Sequence, residues 1–204
     1  MESALRAGIA LFNEGYYHAA HDAWEDHWLS LEGGEPDERF LHGLIQYTAA
    51  VHHFEHENLA GAKGLADSAQ EYLADLGSTF RGVALDPIRD QLRTIADGSV
   101  SGDVERIKHG SQPLEFEDLD ADATWIVAAV LAEEHDQWSR ATIAEAVEFA
   151  RAEGIEGRFG TLLVDFVGEP THRGLIYDRL ERHVDRERGR ESGIEDLFET
   201  NDRD

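Results

Sequence analysis

The seventeen residues from Phe12 to Trp28 hold three histidines, two tryptophans, two tyrosines and four acids. Within them Tyr17, His21, Trp24 and Trp28 recur at steps of four, three and four, which places all four on one face of an α-helix. A helix face of such large rings has to be covered by other helices, so this stretch sets the fold class for the chain around it. Asn13-Glu14-Gly15 reads as a stop signal for a preceding helix, since Gly just past a helix end tolerates the left-handed conformation. That earlier helix, Ser3 to Asn13, carries Leu5, Ile9 and Phe12 at helical spacing, and the second runs from about Tyr16 to Leu29.

Glu32-Gly33-Gly34-Glu35-Pro36 breaks the pattern. A third helix is expected from about Asp37 to Glu57, with Leu41, Leu44, Ile45, Thr48, Val51 and His52 on one stripe. Gly43, Gln46, Ala50 and His53 form a neighbouring stripe whose small residues admit another helix closely. A fourth follows from about Leu59 to Leu76. Leu11-x3-Gly15-x3-Ala19 is echoed by Phe54-x3-Asn58-x3-Ala62, at the two helix-turn-helix corners. Tetratricopeptide repeats have such corners, and two antiparallel helix pairs in a bundle account for the spacing equally well.

The signal weakens between Gly77 and Asp118, where Asp86 to Ala96 reads as a short helix with Pro87 at its first position. Val104 to Lys108 and Leu114 to Phe116 alternate as in a small hairpin. Helical patterns return at Asp122 to Glu134, Ser139 to Ala152 and Thr171 to Arg186, with an apolar segment from Phe159 to Val167. The expected fold is all-α: an antiparallel helix bundle of two helix-turn-helix pairs with additional C-terminal helices. The expected organisation is a helical core over 1–98, a connecting segment over 99–120, a helical extension over 121–188 and a disordered charged tail over 189–204.

Forty-three acids stand against eighteen bases, a net charge of -25, and the bases are sixteen Arg with only Lys63 and Lys108. A disordered acidic chain lacks aromatics, whereas this one has nine Phe, five Tyr and four Trp. A folded, lysine-poor protein of this charge suits a salt-rich cytoplasm, where screening weakens self-repulsion. Sequence-independent nucleic-acid binding is disfavoured, since phosphate backbones attract basic stripes. No apolar run approaches the ~20 residues of a membrane span, and the first residues lack the features of a signal peptide. With no cysteine, thiolate nucleophiles and cysteine-ligated zinc are excluded.

The sharpest candidate constellation is His21 and Glu25 on the second helix facing Gln46 and His53 on the third, with Asp22 and Trp28 beside it. His and Glu at i, i+4 point the same way, so they can bind one divalent metal or work as an acid/base pair. His21, Glu25 and His53 are then the candidate ligands, and Glu25 the candidate catalytic base of a metal-dependent hydrolase. The competing reading is a buried polar network in which Gln46 and a tryptophan N–H complete the set and fix how the helices pair. Phosphate-loop, dinucleotide-binding and nucleophile-elbow motifs are missing from the sequence, so the reaction, if any, and the small-molecule or protein partner stay open.

Asn13-x-Gly15-x-Tyr17-x3-His21-x2-Trp24-Glu25-x2-Trp28, then Gly43-Leu44-Ile45-Gln46-x3-Ala50-x2-His53 and Asn58-x2-Gly61-Ala62, resemble a family of small helical prokaryotic proteins, domain-of-unknown-function family 309. The resemblance covers about residues 3 to 80. It implies an all-helical domain with no established reaction, and points to His21, Glu25, Trp28, Gln46 and His53. The family often has glutamate after the first histidine, where this chain has Asp22, which keeps the charge and shortens the reach. The part after Asp122 lies outside the resemblance and looks like an extension of the kind found in salt-loving archaea.

Overall fold

A computed structural model describes residues 1–98, 104–135 and 137–201, with side chains as far as Arg190. The fold is all-α, with one small sheet. In chain order the elements are α1 (Glu2–Asn13), α2 (Tyr17–Trp28), α3 (Pro36–Glu55), α4 (Leu59–Leu73), β1 (Thr79–Phe80), β2 (Val83–Ala84), α5 (Leu85–Ala96), β3 (Lys108–His109) and β4 (Gln112–Pro113). Then come α6 (Ala121–Glu134), α7 (Arg140–Glu153), α8 (Arg158–Gly168) and α9 (Arg173–Asn201). Contacts divide the chain into two compact units, Met1–Val130 and Leu131–Asp204. The connecting segment expected from residue 99 begins outside the described residues. The tail expected from residue 189 lies in α9 as far as Asn201 and then also falls outside them. Among the described residues no helix is long and apolar enough to cross a membrane.

In the first unit α1, α2, α3 and α4 pack each on the next, and α5 packs on α4. Trp24 is fully buried and its Nε1 donates to Leu5 O at 3.3 Å. The fit depends on Gly8, since a Cβ there would stand 2.1 Å from Trp24 Nε1. Phe12 stacks on Tyr47 at 5.0 Å and meets Tyr17 edge-on at 5.1 Å, so the three rings tie α1, α2 and α3 together. Gly43 lets α4 approach α3, because a Cβ would lie 2.5 Å from Leu73.

Both helix corners close in the same way. Tyr16 N donates to Leu11 O and Gly15 N to Phe12 O; Asn58 N donates to His53 O and Glu57 N to Phe54 O. This is the Schellman arrangement, with the left-handed residue Gly15 (φ 83°) at one corner and Glu57 (φ 59°) at the other. Glu57, not Asn58, is therefore the counterpart of Gly15, and the sequence echo is one residue out of register. A left-handed glutamate hides the true match, because the pattern leads one to look for Gly or Asn there.

The sheet is antiparallel throughout, in the order β1-β2-β3-β4, with Val83 opposite His109. The alternation at 104–108 and 114–116 flanks the shorter β3–β4 hairpin. Asn13 holds this hairpin: Nδ2 donates to Ile107 O and Leu114 O, both at 2.9 Å, and Oδ1 accepts from Ile107 N at 2.7 Å. One amide thus satisfies three main-chain groups that the short strands leave over.

In the second unit α7, α8 and α9 pack on one another. Ser139 caps α7 by accepting from Thr142 N. The buried Arg173 donates from Nε to Phe166 O at 2.8 Å and from Nη2 to Val167 O at 3.0 Å, joining the start of α9 to the last carbonyls of α8.

Candidate functional site

Thr48 Oγ1 donates to Tyr17 O at 3.2 Å and pins the first turn of α2 to the middle of α3. Beside this bond lies a cavity of about 190 Å³. Tyr17, His18 and His21 line it from α2, and Thr48, Ala49, His52 and His53 from α3. These positions lie one turn apart on each helix, so each helix contributes one stripe.

His21 Nδ1 lies 3.1 Å from Asp22 Oδ1, and the other oxygen of Asp22 lies 3.4 Å from His18 Nδ1. The His21 side chain is 32% exposed. Its bond to Asp22 raises the imidazole above the ordinary histidine range; burial opposes this, and the charges of Glu25 and Asp22 add to the rise. A proton held between Nδ1 and the carboxylate makes Nε2 the basic nitrogen of the neutral ring. His21, Asp22 and Glu25 can each offer one ligand atom with all three atoms within 4.8 Å of one another.

His53 is set the opposite way. Asn58 Oδ1 caps α4 by accepting from Gly61 N at 3.1 Å, which turns the Asn58 NH2 towards His53 Nδ1 at 2.7 Å. With that amide donating, Nδ1 is the acceptor and the ring proton belongs to Nε2. Gly61 leaves room for this, as a Cβ there would stand 2.7 Å from Asn58 Nδ2 and 3.1 Å from His53 Nδ1. The Asn58-x2-Gly61 motif thus serves both the helix cap and the histidine tautomer. His52 is held below the ordinary histidine range by burial first, then by His56, His53 and His18. Burial, with Glu55, pushes the Tyr17 phenol up, and its hydroxyl donates to Glu55 Oε1 at 3.2 Å.

The sequence candidates divide among three places. His21, Asp22 and Glu25 lie together on α2, and His53 shares the cavity with His21. Gln46 is half-buried on α3 but is not part of the cavity lining. Trp28 belongs to a separate network. Its Nε1 donates to Glu38 Oε1 at 2.8 Å, Gly34 N donates to Glu38 Oε2 at 3.1 Å, and His42 Nδ1 lies 3.3 Å from Oε1. His42 in turn packs between Trp28, at 4.5 Å, and Tyr72, at 3.8 Å. Burial pushes the Glu38 carboxyl up, but the donors from Trp28, Gly34 and His42 outweigh it and hold it below the ordinary range. Neither tryptophan N–H closes on His21: Trp24 turns to Leu5 and Trp28 to Glu38. Sequence reasoning missed Glu38, and the signal available was His42 one helical turn beyond it, with Trp28 across the Gly33-Gly34 turn.

These features define a helical domain whose second and third helices flank a half-open, histidine-lined cavity. A family model described as a domain of unknown function, DUF309, matches residues 5–65. The match supports the resemblance carried by the motifs and contains every residue that lines the cavity. No curated protein matches the chain.

Proposed function

We propose that the domain binds a small organic molecule bearing a carbonyl or carboxylate group in the cavity between α2 and α3. One observation carries this reading. The cavity presents two differently set imidazoles, His21 made basic by Asp22 and His53 committed as an Nε2–H donor by Asn58. A ligand oxygen can accept from His53, and a protonated His21 favours negative charge beside it. A volume of this order suits a small ligand. Screening small carboxylic acids by NMR tests the reading. Binding that shifts the His21 and His53 ring signals, and is lost in His53→Ala, supports it; binding that leaves both rings unmoved rejects it.

A second reading places a divalent metal on His21, Asp22 and Glu25, favoured by the closeness of their ligand atoms. There Glu25 is ligand or general base of a hydrolytic reaction. His53 does not fit that set, since a ligating histidine donates its second N–H to an acceptor, whereas His53 Nδ1 accepts. Titrating the untagged protein with Zn²⁺ separates the readings: tight binding lost in Glu25→Gln supports the metal, and unchanged binding excludes it. A tetratricopeptide-like docking module needs its ring face open; Trp24 is buried in the core, while Trp28 is half-buried beside Glu38 and His42. The net charge of -25 with only two lysines supports a salt-rich cytoplasm as the solvent, and the part beyond the family match as an extension suited to it.

A further inference from the structure

Acids exceed bases by 25 in this chain, yet α9 gathers arginines on one face. Arg179, Arg182, His183 and Arg186 follow the i, i+3, i+4, i+7 pattern of a single helical stripe. Arg158, the first residue of α8, adds a fifth group. Its guanidinium lies 5.8 Å from the centre of the Phe159 ring, and that ring meets His183 edge-on at 6.2 Å.

Of the neighbouring carboxylates, those of Glu145, Glu181 and Asp185 are engaged elsewhere, while Glu187 reaches Arg158. Glu145 of α7 and Asp185 hold Arg188. Glu187 holds Arg190 at 3.1 Å and Arg158 at 3.4 Å, and Glu181 accepts from the Tyr177 hydroxyl at 3.3 Å. Among the described residues Arg179, Arg182 and Arg186 are exposed and have no carboxylate partner. Arg182 reaches only a main-chain oxygen, Asp178 O at 2.9 Å. His183 Nδ1 is buried without a hydrogen-bond partner. Burial, then the charges of Arg158, Arg186, Arg179 and Arg182, hold the His183 imidazole below its ordinary range. Like charges three and four residues apart oppose one another, so this stripe is at its most stable with an anion upon it.

We propose that the α8–α9 face formed by Arg158, Arg179, Arg182, His183 and Arg186 binds a small diphosphate-bearing molecule. Guanidinium forks match phosphate oxygens in pairs. Arg179 and Arg186 are separated by about 10 Å along the helix axis, wider than one phosphate group. A long polyanion meets repulsion from the whole chain, whereas a small one responds mainly to charges within a Debye length of about 8 Å. The occupant is therefore a small molecule and not a polynucleotide.

The test uses the full chain and inorganic diphosphate at fixed ionic strength, read by calorimetry and by the NMR titration of His183. We expect one saturable site, with the His183 pKa rising when diphosphate is bound. The double substitution Arg182→Gln with Arg186→Gln weakens binding at least tenfold, while Arg93→Gln, at an exposed arginine of α5 paired with Asp90, leaves it unchanged. The His183 titration needs no variant and decides the matter even if the double variant does not fold. Three results overturn the proposal: no saturable binding, a His183 pKa that diphosphate does not move, or tighter binding of a single-stranded oligonucleotide than of diphosphate.

Discussion

Two polar clusters lie on α2 and α3, built from the same residue types, and they differ in what remains available. In the first, Glu38 is buried and accepts from Trp28, Gly34 and His42, so both its oxygens are engaged. In the second, His21 is partly exposed, has one carboxylate partner and opens on a cavity. The first arrangement holds the turn between α2 and α3 to the start of α3. The second places the half-buried His21 beside a cavity, the arrangement from which ligand binding is proposed. Satisfaction of a polar group, more than its residue type, separates a structural clasp from a candidate site.

The strongest test of this contrast removes the acceptor of the clasp. Glu38→Ala leaves the Trp28 and Gly34 N–H groups without their partner and should lower unfolding stability by about 2–3 kcal/mol. Urea denaturation measures it. A loss as small as that of a surface substitution would mean that water already shares these donors, and the distinction between the clusters would collapse. Asn58→Ala should come next, at about 1 kcal/mol through the lost cap of α4. It should also free the His53 tautomer, visible as a changed 15N shift of Nδ1; an unmoved shift would deny Asn58 its orienting role.

Much of this contrast was legible in the sequence, and part was not. The stripe of Tyr17, His21, Trp24 and Trp28 gives α2 directly, because four large rings at helical spacing leave little alternative. The Gly43 stripe gives the close approach of another helix. Glu38 escaped notice because acids in a first turn ordinarily answer the helix dipole, and nothing in Pro36-Asp37-Glu38 says that this one turns inward. Strands of two residues, such as Thr79–Phe80 and Val83–Ala84, are too short for any periodicity to register. The basicity of His21 and the donor setting of His53 depend on Asp22 and Asn58 geometry, which spacing alone does not specify.

Glu57 offers a smaller and opposite effect. It holds the left-handed corner between His53 and Asn58 with φ 59°. Glu57→Gly removes the steric penalty there and should stabilise the chain by up to about 1 kcal/mol, offset in part by the greater freedom of glycine when unfolded. Thermal unfolding reads it. Stability should rise while cavity binding stays the same, so a gain in one with a loss in the other would show that strain at this corner is part of the site.

The least effect expected is at His21, and its pH dependence distinguishes it from Glu38. The folded pKa of His21 is raised, so its stabilising contribution is complete below the unfolded value near ~6.5 and disappears as pH rises through the folded value. The folded pKa of Glu38 is lowered, so its contribution is complete above the unfolded value near ~4.3 and disappears as pH falls through the folded value. His21→Gln should therefore cost a few tenths of a kcal/mol at pH 5 and nothing at pH 9. Glu38→Gln should be most harmful near neutrality and progressively less so in acid. Denaturation midpoints of both variants across this range provide the measurement. Matching profiles would mean that the two clusters are one electrostatic unit; opposed profiles keep clasp and cavity apart, with His21 contributing little to the fold that carries it.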